Sequence, residues 1–255
     1  MPALLYILAF TFVGSIGALA GGLVLLAWRE LAAKVSHALT AFAAGALLGA
    51  AFFDLLPEAV HGSEETGANV FLWTLTGIIL FFFIEHVVHW RHHHDQVHEH
   101  ARETMATAPL IIISDTVHNF IDGIIIAITF LINIPLGIVT ALAVIAHEIP
   151  QEIGDFALLL HKGFSRKMVV LINVLSAAVA LIGALLGYVF GSFLQGYIPI
   201  LLGLTAGFFI YIATSDIMPE IHYKKRRGFA VAESILLVSG IVAIYSAVSF
   251  FGHAE

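Results

Sequence analysis

Residues 106–161 read ATAPLIIISDTVHNFIDGIIIAITFLINIPLGIVTALAVIAHEIPQEIGDFALLLH, two apolar runs joined by a short Asn-Ile-Pro step and interrupted by acids, histidines and amides. Neither run contains a lysine or an arginine. A bilayer core about 30 Å thick is crossed by roughly 20 apolar residues in a helix, so the stretch reads as a helical hairpin in lipid, with spans at 106–132 and 135–161. Outward from it, hydropathy broken by charge and turn clusters gives spans at 4–27, 37–60 and 69–90 before, and 167–192, 197–220 and 229–251 after. The expected fold class is an all-α membrane protein of eight transmembrane helices in a single transmembrane domain over 1–255. Composition agrees, since charged residues are 11% where a soluble domain carries about 25%. Apolar residues reach 60%, and the mean hydropathy is +0.97.

Orientation follows from the basic residues. All 11 lysines and arginines fall in alternate connections: Arg29 and Lys34, Arg91 and Arg102, Lys162 with Arg166 and Lys167, and Lys224 to Arg227. The positive-inside rule then puts both termini outside the cytoplasm. The first apolar stretch is long enough to span and has no basic leader, so it is expected to stay as a helix rather than be cleaved. An internal repeat is also legible. Ile16 begins IGALAGG and Ile182 begins IGALLGY; Gly45, Asp54, Pro57 and Glu58 in span two match Gly207, Asp216, Pro219 and Glu220 in span seven. Spans one to three (4–90) and six to eight (167–251) are expected as inverted repeats around a central pair, 106–161, in a 3+2+3 arrangement.

Ionisable groups inside a membrane are costly and normally face a cavity or a partner. In span four, Asp115, His118 and Asp122 follow i, i+3, i+7 and share one helical face, with Asn119 beside them. In span five, His147, Gln151 and Asp155 line one stripe, and Glu148 with Glu152 the next. Both histidines lie near the middle of their spans, so the two polar faces are expected to meet at one depth. Imidazole suits zinc and iron, and carboxylate widens the range toward manganese, so the mixed set points to a borderline divalent ion. With no cysteine in the chain there is no closed thiolate cage, and exchangeable mixed ligands suit an ion that must be released. Pro150 removes a backbone hydrogen bond beside His147 and is expected to bend span five there.

HNFIDG at 118–123 and HEIPQEIGDF at 147–156 resemble the signature of the ZIP metal transporters, and the likeness covers essentially the whole chain. The resemblance implies divalent metal moving toward the cytoplasm by alternating access of the elevator type, through a site between the fourth and fifth helices holding one or two ions. By motif position the ligands are His118, Asn119, Asp122, His147, Glu148, Gln151 and Glu152. Members of the HExPHExGD branch usually carry His where Gln151 stands, and span six offers only Asn173 and Ser176 where some relatives add a glutamate, so the second ion has the weaker support. The expected substrate is Zn2+, with Fe2+, Mn2+ and Cd2+ as further candidates, and no organic cofactor. Expected partners are metal ions, the lipid bilayer and a second copy in a homodimer, not nucleic acid. The expected location is the cell's inner (plasma) membrane.

Three flanking groups complete the reading. Asp54, Glu58 and His61 are expected to line an outer funnel, and Glu85, His86, Asp216, Glu220 and His222 an inner exit. The tract HWRHHHDQVHEH holds His89, His92, His93, His94, His98 and His100, next to and within a cytoplasmic loop at 91–105, and is read as a metal-catching segment. A metalloprotease of the H-E-x-x-H type is disfavoured: Gln151 stands where the second histidine belongs, and Pro150 inside the motif is awkward for the regular helix that such an enzyme needs. The chain is therefore not expected to be an enzyme.

Overall fold

The computed structural model describes residues 2–93, 108–161, 163–219 and 229–252, and these are helical with no strand among them. The elements are α1 (Pro2–Gly14), α2 (Leu19–Ala27), α3 (Arg29–Ala50), α4 (Leu56–Thr66), α5 (Val70–His93), α6 (Ala108–Ile132), α7 (Ile134–His161), α8 (Arg166–Leu194), α9 (Ile198–Tyr211) and α10 (Phe229–Gly252). Seven segments among the described residues are long and apolar enough to cross a membrane, from Ala3–Ala27 to Val231–Phe250. The expected third span falls on α5, whose stretch Val70–Ile84 is a shorter apolar helix, about 22 Å long. The helix continues to His93 and carries Glu85, His86 and the first histidines of the tract. All-helical architecture suits a bilayer, because a helix pairs its backbone N–H and C=O groups within its own segment.

The first span is not one rod. A turn at residues 15–18 parts α1 from α2, and there the Ser15 hydroxyl donates to the Thr11 carbonyl at 2.7 Å. The Gly17 N–H bonds back five residues to Phe12. Spans two and seven each contain a π-helical turn, Ala51–Leu55 and Ile212–Ile217. Each turn ends next to a proline: the N–H of Leu56, before Pro57, reaches the Ala51 carbonyl, and that of Met218, before Pro219, reaches Ala213. A proline has no N–H and its ring crowds the carbonyl four residues back; the wider preceding turn moves that carbonyl aside. Span five, by contrast, runs unbroken from Ile134 to His161 with Pro150 inside it.

Three helix pairs meet through reciprocal glycines. A methyl group on Gly45 would overlap the Leu237 carbonyl of α10, and one on Gly240 the Phe42 carbonyl of α3. Gly77 and Gly207 stand likewise against Leu204 and Thr74 between α5 and α9, and Gly123 and Gly183 against Ala180 and Phe120 between α6 and α8. Small residues let helix backbones touch where lipid gives no hydrophobic drive to associate. Helix α7 lies between these pairs, against α3, α6 and the first span. The step from α6 to α7 is a single residue, Asn133, whose Oδ1 accepts the Leu136 N–H at 2.7 Å and caps α7. That tight reversal makes α6 and α7 an antiparallel hairpin.

Candidate metal site

The hairpin sets the depth of the site. His118 stands 14 residues before the end of α6 and His147 13 after the start of α7, so each is about 20 Å from the turn at Asn133. Their Nε2 atoms face one another at 3.1 Å. Asp122 Oδ2 lies 3.1 Å from His147 Nε2 and 3.6 Å from His118 Nε2, while Glu148 Oε1 lies 3.5 Å from His118 and 3.8 Å from His147. All four side chains are buried, and one ligand atom from each lies within 4.8 Å of the others. Ligands about 2.0–2.2 Å from a tetrahedral zinc ion are separated from one another by roughly 3.3–3.6 Å, and the measured separations straddle that range.

Orientation of the rings supports the same chemistry. His147 Nδ1 lies 3.1 Å from the Ala143 carbonyl. With the proton on Nδ1 donated to that oxygen, the lone pair of Nε2 is left facing the cluster, the arrangement that fixes a metal-binding imidazole. Edge-on aromatic rings hold both histidines from the neighbouring helices: Phe81 of α5 is 5.9 Å from His118 at 90°, and Phe209 of α9 is 6.3 Å from His147 at 65°. Asp122 Oδ2 and both Glu148 oxygens are buried without a hydrogen-bond partner. Unpaired carboxylate oxygens inside a protein are costly unless a proton or cation answers them.

Of the other imidazoles and carboxylates expected as ligands, Glu152 stands outside this group of four. Asn119 is buried and donates through Nδ2 to the Asp115 carbonyl and to Asp115 Oδ1, at 3.2 and 2.9 Å. The Gln151 amide points to Asp115 Oδ1 at 3.5 Å. Glu152 is 1% exposed, and neither of its oxygens has a partner. Asp54, Glu58 and His61 line a cavity of about 370 Å³ with Asn133 and Pro135. His86 is exposed and its ring stacks on Phe82 at 5.4 Å. Glu85, His89, His92 and His93 fall on α5, and Asp216 on the second π turn. Glu220, His222, His94, His98 and His100 lie outside the described residues. Phe81, Phe209 and the Ala143 carbonyl were not singled out from the sequence, where nothing separates two useful phenylalanines from the other 18.

The family model described as ZIP Zinc transporter matches residues 2–109 and 90–247. Among curated relatives, "Zinc transporter foi" of Drosophila melanogaster is 39% identical over 62% of this chain and 23% of its own length. "Zinc transporter zipt-7.2" of Caenorhabditis elegans is 32% identical over 81% of this chain and 57% of its own. "Zinc transporter ZIP13" of Pongo abelii is 30% identical over 81% and 65%. The chain thus spans less than two thirds of the length of these relatives.

Proposed function

The chain belongs to the ZIP zinc transporter family, and from that premise we propose that it carries divalent transition metal, zinc first, across a bilayer through the His118, Asp122, His147 and Glu148 group. The observation that carries the reading is the convergence of these four buried ligand atoms within 4.8 Å, deep in a hairpin of two membrane-spanning helices. Uptake toward the cytoplasm rests on the family resemblance, and outward termini rest on the basic residues.

Two features support inverted repeats and movement of helix groups. The π turns of spans two and seven fall at matching places before Pro57 and Pro219, and the Gly45 to Gly240 contact corresponds to that between Gly207 and Gly77. Glycine contacts tie α3 to α10, α5 to α9 and α6 to α8. Phe81 and Phe209 touch the site from α5 and α9 without such a tie to α6 or α7. A group containing α6, α7 and α8 sliding past the others would carry the four ligands from one side to the other. The test is zinc flux into liposomes that hold the purified chain and a zinc-sensitive dye, with iron(II), manganese(II) and cadmium(II) offered in turn. Saturable zinc influx is expected; binding without influx would identify a sensor instead.

The cavity of Asp54, Glu58 and His61 is proposed as the outer loading funnel. Asp54 Oδ2 is buried there without a partner, and a cleft lined by negative charge concentrates cations. Glu58→Gln combined with Asp54→Asn is expected to raise the apparent KM for zinc by about 3- to 10-fold at low ionic strength, with maximal flux nearly unchanged. An unaltered KM under those conditions would remove the funnel from the pathway.

A further inference from the structure

Two helices that supply none of the four converging ligands press aromatic rings against them. Phe81 of α5 meets the His118 ring edge-on at 5.9 Å, and Phe209 of α9 meets that of His147 at 6.3 Å. Phe81 packs in turn on Phe208 and Tyr211 of α9, at 5.4 and 5.5 Å. Phe209 is wholly buried and Phe81 is 7% exposed. The backbone holds these rings in place. Gly77 lies about one turn before Phe81, Gly207 stands two residues before Phe209, and a methyl group on either glycine would overlap the backbone of the opposite helix. Helices α5 and α9 therefore touch beside the rings and bear them on one joined surface. The carboxylate oxygens next to the two histidines, Asp122 Oδ2 and Glu148 Oε1, are buried as well.

Divalent ions differ in how much water they must keep. Zinc is satisfied by four ligands in a tetrahedron, and His118, Asp122, His147 and Glu148 offer four. Manganese(II) and magnesium favour six-coordinate oxygen sites, and magnesium gives up water reluctantly. At a site of four protein ligands, such an ion needs water to complete its shell. Phenyl rings neither donate to nor coordinate that water, and the apolar shell around a metal governs its access. We propose that Phe81 and Phe209 are specificity-determining residues, an aromatic wall that denies water to the ion at the four ligands and so favours zinc over ions that stay hydrated. The proposal deepens the transport reading and rests on its assignment of those ligands.

Cobalt(II) is the probe, because its visible absorption is intense in a four-coordinate tetrahedral site and weak once water raises the coordination number. The full chain in lipid nanodiscs is titrated with cobalt(II), and wild type is expected to give the intense band. Phe81→Ala and Phe209→Ala are each expected to keep cobalt and lose most of that band. Phe81→Gln should lose it without emptying the space, and Phe81→Leu, apolar again, should retain most of it. In liposomes the ratio of zinc to manganese(II) flux is expected to fall about 10-fold in Phe81→Ala. A merely structural ring would lower both fluxes together and leave the band of bound cobalt intact. A weak band in wild type, or an intense one in Phe81→Gln, overturns the wall; cobalt lost in His147→Ala leaves the ligand site standing in either case. A wild-type chain that takes up no cobalt overturns both.

Discussion

Zinc uptake by liposomes carrying His147→Ala is expected to fall by about 100-fold or more, to near the leak of protein-free vesicles. Removing an outer partner of a metal ligand typically costs 10–100-fold, and His147 is proposed as a ligand itself. Its Nε2 stands 3.1 Å from both His118 Nε2 and Asp122 Oδ2, so alanine deletes the group nearest to two other ligands. The side chain is 1% exposed, and water reaching the gap would be a weaker and less fixed donor. A drop in flux could also follow from misfolding, so the variant is compared with wild type by size-exclusion elution and helix content. Normal elution with lost flux supports the site; flux within about 3-fold of wild type would show that zinc travels elsewhere.

The second large effect concerns the glycines. Gly123→Val is expected to lower the melting temperature in detergent sharply, or to abolish monodisperse protein, because the new Cβ would overlap the backbone of Ala180 rather than a side chain able to rotate away. Ordinary overpacking costs about 1–3 kcal/mol, and separating two helix backbones belongs at or above the top of that range. Gly207→Val meets the Thr74 carbonyl and should behave alike. Gly154 provides the contrast: nothing outside its own helix lies within 4 Å of where its Cβ would be. There alanine replaces glycine inside a helix and should be neutral or stabilising by up to about 1 kcal/mol. Equal melting temperatures for Gly123→Val and wild type would refute the contact.

The spans and the polar faces could be read from the chain, because a membrane leaves apolar length as the dominant signal and makes every buried charge conspicuous. Which of the imidazole and carboxylate candidates converge could not. The helical stripes grouped His147 with Gln151, and Glu148 with Glu152; in the structure His147 and Glu148 join the same cluster while Gln151 turns to Asp115. The centre of the site sits between two stripes, and a glutamate is long enough to reach round the helix. The break at residues 15–18 was hidden because apolar composition is the same on both sides of it. Reciprocal glycines were hidden for another reason: a single sequence shows that a residue is small, but not whose backbone it touches.

The π turns at Ala51–Leu55 and Ile212–Ile217 alter the phase of the spans that contain them. A π turn carries about one residue more than the α-helical turn it replaces, which sets every later side chain back by roughly 100°. Span two is therefore two helical wheels joined end to end. The half that brings Gly45 to α10 is out of phase with the half that carries Glu58 and His61 on their cavity. One rod thereby serves a close backbone contact along one half and a cavity along the other, and the offset between the two is a single amino acid.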